Sequence, residues 1–235
     1  MPKQKRILHI VGARPNFIKV GPLIKEMHGS LADGQQLLVH TGQHFDPNMS
    51  DIFFEQLGIP YPDINLEVSK GSALTLLSEM IYRLQDPIKN FSPDCIVVYG
   101  DTNSTLAGAL AGSKLNIPIA HIESGLRSRD NTMPEEINRV ITDHISSYLF
   151  TPSRDATENL LAENIATDKI YFVGNIMIDT LVSSMGQIDK SQILQTLKLR
   201  QSNTSEVKPY NVLTLHRPSN VDNTESLTKL IDSAI

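Results

Sequence analysis

The chain has 235 residues, 40% hydrophobic and 20% charged, with 13 Gly, 13 Pro, one Cys and no Trp, the composition of an ordinary soluble globular protein. Its formal net charge of -5, from 21 Lys and Arg against 26 Asp and Glu, argues against broad attraction to a nucleic-acid backbone or an anionic bilayer. No run approaches the roughly 18 apolar residues of a membrane span, the opening MPKQKR leads into a strand-like run and not a signal peptide, and the lone Cys95 excludes an internal disulfide or a cysteine metal cage, so a cytoplasmic protein is expected.

In chain order, apolar runs of strand length at 7–11, 36–40, 95–99, 117–122, 148–150, 170–173 and 211–215 alternate with segments of helical period. The helices are predicted over 15–27, 49–57, 74–90, 102–115, 134–146, 154–163, 177–185 and 224–235. The strand runs are rich in Val, Ile and Leu and apolar on both faces, as parallel strands sandwiched between helices must be. The fold class is α/β, a doubly wound parallel sheet. Residues 1–186 form its first domain, the polar stretch 187–208 a linker that can open with a helix before its exposed part, and 209–235 the start of a second domain, because one strand and one helix cannot bury a core. The last residues, LTKLIDSAI, read as a helix cut in progress without a C-cap.

In such sheets ligands bind beyond the carboxyl ends of the strands. Four strand ends carry chemistry: Gly12-Ala13-Arg14, Thr41-Gly42-Gln43-His44, Gly100-Asp101-Thr102, and His121-Ile122-Glu123 with Arg127 soon after. A shared sheet edge gathers them into one cleft of arginines, histidines and carboxylates, suited to proton transfer on a substrate with an anionic leaving group. Each has a plainer reading. Asp101 suits the N-cap of the next helix, Thr132-Met133-Pro134-Glu135 fits a capping box, and Glu135, Arg139 and Asp143 are spaced for surface ion pairs. His9 and His40 sit inside strands as core residues, His28 at a helix end, and Cys95 in a buried strand. No G-x-G-x-x-G, GxxxxGK[ST], G-x-S-x-G or H-E-x-x-H spacing occurs, so neither a dinucleotide, a P-loop nucleotide, a serine-hydrolase elbow nor a metal is indicated.

The strings GARPNFIKVGPL, TGQHFD, VVYGDTNSTLAGALA, HIESGLRS, MPEEINRVITD, LFTPS, VGNIMIDTL and LTLHRPSN follow one another in an order that resembles the non-hydrolysing UDP-N-acetylglucosamine 2-epimerases. The resemblance implies a Rossmann-like domain as the first half of a GT-B type pair, a cytoplasmic homodimer, UDP-GlcNAc and UDP-ManNAc as substrates, and neither cofactor, metal, nucleic acid nor membrane as partner. The reaction it implies eliminates UDP to give 2-acetamidoglucal and adds it back with inversion at C2. It maps catalytic roles onto Asp101, Glu123, Glu135 and His216, the order of acid and base among the carboxylates staying open. It maps substrate contacts onto Arg14, Lys19, Gln43, His44, Arg139 and Arg217. Asn16 stands where the first motif usually has Glu, and Pro218-Ser219 stand where an arginine and a glutamate are usual. A hydrolysing relative releasing ManNAc and UDP, or a nucleotide-sugar-binding domain without catalysis, are the alternative readings.

Overall fold

A computed structural model describes residues 4–30, 34–42, 54–55, 57–200, 206–215 and 218–234. Two compact units emerge, Met1–Met185 and Gly186–Ile235.

The first unit is built on strands β1 (Arg6–Val11), β2 (Gln35–His40), β3 (Ile64–Asn65), β4 (Cys95–Tyr99), β5 (Ile119–Ile122), β6 (Tyr148–Thr151) and β7 (Ile170–Phe172). All pair in parallel, in the order β3-β2-β1-β4-β5-β6-β7. The chain winds from β1 out to β3 and then restarts at β4 in the other direction. The β1 and β4 connections therefore part, and a crevice opens at their carboxyl ends.

Alternate residues of each strand feed the two faces. On one face Leu8, Ile10, Val39, Ile96, Val98 and Ile119 pack beneath helices α2 (Ala73–Phe91) and α3 (Asn103–Lys114), with Met80, Leu84 and Ile88 as the inward stripe of α2. On the other, Val11, Leu38, Val97, Tyr99 and Ala120 meet Phe17, Val20 and Ile24 of α1 (Arg14–Ser30). Helix α2 is stopped at both ends by serines: Ser72 accepts from the Thr75 amide and Ser92 takes the left-handed C-cap conformation. Helix α3 reads TLAGALAG because it lies directly on the sheet. A Cβ on Gly108 would sit 2.8 Å from Ile10 Cδ1 and 2.9 Å from Val98 Cγ1, so a side chain there would force these close-packed neighbours to shift. Helices α4 (Pro134–Ile145), α5 (Arg154–Ala162) and α6 (Ile176–Ile188) complete the set around the later strands. A short 3-10 turn, Thr167–Lys169, leads into β7.

The second unit holds α7 (Ile193–Thr196), α8 (Pro218–Val221) and α9 (Thr224–Ala234), plus a single antiparallel bridge between Arg200 and Val207.

The predicted strand at 211–215 does not form. Val212 is 80% and Leu213 56% exposed, and a strand exists only where a neighbour takes up its backbone groups. Strand β3 was not predicted, because two residues carry no periodic signal. Helix α7 lies within the predicted linker. Of the helix predicted over 49–57, all but residues 54, 55 and 57 lies outside the described residues. His9 and His40 are buried, as expected of core histidines, and His28 is exposed. Cys95 opens β4, where burial, ahead of the nearby Asp94 charge and against a bond involving the Ala120 backbone, pushes its thiol up to about 11. No helix of the described residues is long and apolar enough to cross a membrane.

Candidate functional site

The site is assembled at the carboxyl ends of β1, β4 and β5. Asn16, in the first turn of α1, is completely buried and clasps two of these ends. Its Oδ1 accepts from the amides of Gly12 (3.1 Å) and Ala13 (3.0 Å), and its Nδ2 donates to the Tyr99 carbonyl at 2.7 Å. The amide side chain both accepts and donates here. A carboxylate, acceptor only, would set an oxygen against the Tyr99 carbonyl.

Beyond β5, Glu123 takes φ +69°, a left-handed backbone rarely adopted by a non-glycine residue. Such a conformation costs roughly 1–3 kcal/mol and persists where the surroundings hold it. Here the Glu123 and Ser124 amides both donate to the Phe150 carbonyl at 3.1 Å, and the Glu123 carboxylate receives Lys19 Nζ at 2.6 Å. The pair is well shielded, with side-chain exposures of 5% for Lys19 and 15% for Glu123. Gly100, at φ +64°, makes room for it, since a Cβ there would stand 3.0 Å from Lys19 Nζ and 3.1 Å from Glu123 Oε2. On its other side Glu123 borders a largely apolar cavity of about 520 Å³, walled by Val97, Ile122, Phe150 and Val173 among others.

Beyond β4, Asp101 pairs with Arg139 of α4. Arg139 also donates to Glu136 at 2.6 Å, and Asn138 Nδ2 donates to the Asp101 carbonyl at 2.8 Å. Asp101 is not the N-cap of α3; Thr102 is, its hydroxyl accepting from the Thr105 amide. The Asp101 carboxylate is thus left to the cleft, 30% exposed.

The adjacent glutamates of α4 divide their work. Glu136 is buried and accepts from the Ser128 amide (2.9 Å) and hydroxyl (3.0 Å), the Arg129 amide (2.9 Å) and Arg139. Burial pushes its carboxyl up, but these donors outweigh burial and hold it at about 2. Arg139 is disfavoured by burial yet has its pKa raised by Asp101 and Glu136. Glu135, one residue earlier, is exposed. The capping box expected of Thr132 and Glu135 is not made: Met133 occupies the N-cap without a side-chain bond, and Thr132 donates to Asp130 instead. The expected i,i+4 ladder is replaced as well, since Arg139 pairs with Glu136 and Asp101, and Asp143 with His121 and Arg127.

The Asp101–Arg139 and Glu123–Lys19 pairs therefore stand at neighbouring strand ends on one edge of the sheet, and Arg14 is exposed at the start of α1, just after β1. Lys19 is buried against Glu123 and does not stand open to solvent beside Arg14. Gln43, His44, His216 and Arg217 lie outside the described residues. Sequence reasoning missed Glu136 and Asn138, and marked Asn16 only as a departure from the usual first motif. The i,i+3 spacing of Glu136 and Arg139 was the available signal. Among the described residues no cluster of three or more His, Cys, Asp or Glu is arranged to hold a metal. Chemically, two carboxylates, each backed by a cation, can exchange protons with a ligand while their charge stays balanced.

The family model described as UDP-N-acetylglucosamine 2-epimerase matches residues 30–234. A UDP-N-acetylglucosamine 2-epimerase homolog of Methanococcus maripaludis is 46% identical over 98% of this chain and 62% of its own length. A Pseudomonas aeruginosa relative named UDP-2,3-diacetamido-2,3-dideoxy-D-glucuronate 2-epimerase is 43% identical over 97% of this chain and 62% of its own. The crystal structure of the Methanocaldococcus jannaschii UDP-GlcNAc 2-epimerase in complex with UDP-GlcNAc and UDP superposes with a TM-score of 0.86 at 40% identity, over 98% of this chain and 61% of that one. The chain thus spans about three fifths of the length of these relatives. Its fold, its ordered strand-end motifs and these matches together mean that it belongs to the UDP-N-acetylglucosamine 2-epimerase family.

Proposed function

We propose that the chain carries the proton-moving half of an isomerase that interconverts UDP-GlcNAc and UDP-ManNAc without hydrolysis. The observation that carries this reading is the pair of carboxylates, Asp101 and Glu123, at neighbouring strand ends, each held by a cation. One carboxylate takes the proton from C2 of the sugar as the C1–oxygen bond breaks. The electron pair of the C2–H bond becomes the C1–C2 double bond of 2-acetamidoglucal, and UDP leaves with the bonding pair. UDP then adds back to C1 while a carboxylic acid on the other face returns a proton to C2. Glu135, the third carboxylate of the motif, joins this exchange from the exposed side of α4.

The C2 hydrogen is weakly acidic, so the elimination depends on stabilising charge as it builds on the diphosphate. Arg14 and Arg139 supply cations at the crevice. When Glu123 takes a proton, its bond to Lys19 weakens and the ammonium is free to follow the charge onto the leaving group. His216 assists departure and return of UDP, and Gln43, His44 and Arg217 complete the substrate contacts; these four roles rest on the motif resemblance. The same resemblance supports a cytoplasmic homodimer, and the polar stretch 187–208 supports a division into a catalytic domain over 1–186, a linker over 187–208 and the start of a second Rossmann-like domain over 209–235. Sedimentation velocity reads the oligomeric state directly.

A second substrate is favoured by one relative. The Pseudomonas aeruginosa protein is named for a diacetamido uronate, on which the same C2 inversion operates. Proton NMR of each nucleotide sugar in deuterated water with the protein tests the reading. Loss of the C2 proton of UDP-GlcNAc with growth of the manno isomer supports it. Reaction of the diacetamido uronate alone transfers the activity to that substrate, and UDP accumulating with free sugar marks a hydrolase.

A further inference from the structure

A buried charge network lies behind the two carboxylate-bearing turns, and the reaction as written does not use it. His121 is fully buried on β5. Its Nε2 faces the Gly100 carbonyl at 2.7 Å and its Nδ1 faces Asp143 Oδ1 at 2.7 Å. Both partners are acceptors, so the ring donates from both sides. The second oxygen of Asp143 accepts from the Gly125 amide at 3.1 Å and from Arg127 at 2.7 Å. Arg127 in turn grips Glu163 with two bonds of 2.7 Å. The side chains of His121 and Asp143 are wholly inaccessible, that of Arg127 is 3% exposed, and only Glu163, at 29%, reaches solvent.

Gly100 immediately precedes Asp101, and Gly125 closes the turn that begins at Glu123. Gly100, Glu123 and Gly125 have φ of +64°, +69° and +81°. Both carboxylates therefore leave turns in left-handed conformations, and one imidazole with its aspartate bonds to both turns. A largely buried ionic array contributes little net stability compared with apolar residues of the same volume, but it fixes geometry. Catalytic carboxylates need such fixing, because displacement by about 1 Å can cost on the order of 10²-fold in rate.

We propose that His121, backed by Asp143 and Arg127, is a positioning residue that clamps the Gly100–Asp101 turn to the Glu123–Gly125 turn and so sets the placement of the two proton-moving carboxylates. The proposal rests on the reading of Asp101 and Glu123 given above, and its test separates the two. Amide hydrogen exchange is followed residue by residue in the wild type, His121→Leu, His121→Gln and Glu163→Gln, alongside the C2 proton exchange of UDP-GlcNAc. Glu163→Gln alters only the solvent end of the chain and preserves the fold should His121→Leu be too disruptive.

In His121→Leu the amides of Gly100, Glu123, Ser124 and Gly125 should exchange at least about tenfold faster. The Gly12 and Ala13 amides, held by Asn16, should be unchanged. His121→Gln, whose amide still donates toward Gly100, should restore protection at Gly100. In Glu163→Gln the Gly125 amide should loosen more than the Gly100 amide. Turnover should fall on the order of 10²-fold in His121→Leu with KM for UDP-GlcNAc unchanged, and recover in part in His121→Gln. Protection at both turns equal to wild type, or a uniform loss over the whole sheet, overturns the clamp. A folded wild type that exchanges no C2 proton overturns the activity reading instead, and the amide data still decide the clamp.

Discussion

The ends of β4 and β5 each present a carboxylate to a cation, yet they are built on different principles. At β5, Glu123 and Lys19 close on each other in a dry setting between Gly100 and an apolar cavity wall. At β4, Asp101 shares Arg139 with Glu136 and keeps nearly a third of its side chain in solvent. A shielded pair depends on both partners, because removing one strands a charge that water cannot reach. An open pair tolerates change, since water substitutes for the lost partner. The difference teaches that the structural burden at this crevice falls on Lys19 and Glu136, whereas the open Asp101 pair carries little of it.

The comparison is broken most directly at Lys19. Lys19→Met should lower unfolding free energy by about 3–5 kcal/mol, the usual consequence of leaving a buried charge unpaired. Asp101→Asn should cost about 1 kcal/mol or less in the same urea titration. Equal losses would show that the two pairs are alike.

Glu136→Gln comes next, at about 1.5–3 kcal/mol, because a neutral amide replaces an acceptor of several charge-assisted or backbone donors. This variant also sharpens the pH response. The Glu136 carboxyl is held at about 2 in the folded chain against an ordinary 4.5. Above pH 4.5 its contribution is fully present, and it is lost as acid protonates the unfolded state first, down through pH 2. Wild type should therefore lose melting temperature across that window more steeply than Glu136→Gln.

His9 separates the core from the site in that experiment. Burial, against the hydrogen bond that His9 Nε2 donates to Gln36 Oε1, lowers its pKa from 6.5 to about 4. Its neutral form thus favours folding above pH 6.5, and that contribution fades as pH falls from 6.5 towards 4. His9→Gln should flatten this higher window and leave the lower one intact, as differential scanning calorimetry would show.

The smallest effect is expected at the exposed i,i+4 pair of Glu225 and Lys229, 2.7 Å apart with both side chains over 70% exposed. Lys229→Ala should change stability by no more than about 0.5 kcal/mol. A loss rivalling that of Lys19→Met would undo the distinction between shielded and open pairs.

Most of the parallel sheet was legible in the sequence because its strands are apolar on both faces and its helices carry clear stops. The strand-end positions of Asp101, Glu123 and Arg14 followed from that pattern alone. Burial partners were not legible. Spacing cannot separate Glu135 from Glu136, yet one residue is about 100° of helix rotation, enough to turn one into the cleft wall and leave the other in solvent. Lys19 carried no signal of burial, since its Glu123 partner lies just beyond a strand distant in sequence. The run 211–215 was apolar enough for a strand, but an apolar run becomes one only when a neighbouring strand receives its hydrogen bonds.

The central claim is that Asp101 and Glu123 move the C2 proton. The direct measurement is deuterium incorporation at C2 of UDP-GlcNAc by the wild type, Asp101→Asn and Glu123→Gln, each verified as folded by circular dichroism. The account predicts incorporation by the wild type and its loss by on the order of 10²-fold or more in each variant. Wild-type rates of incorporation in both variants would contradict it.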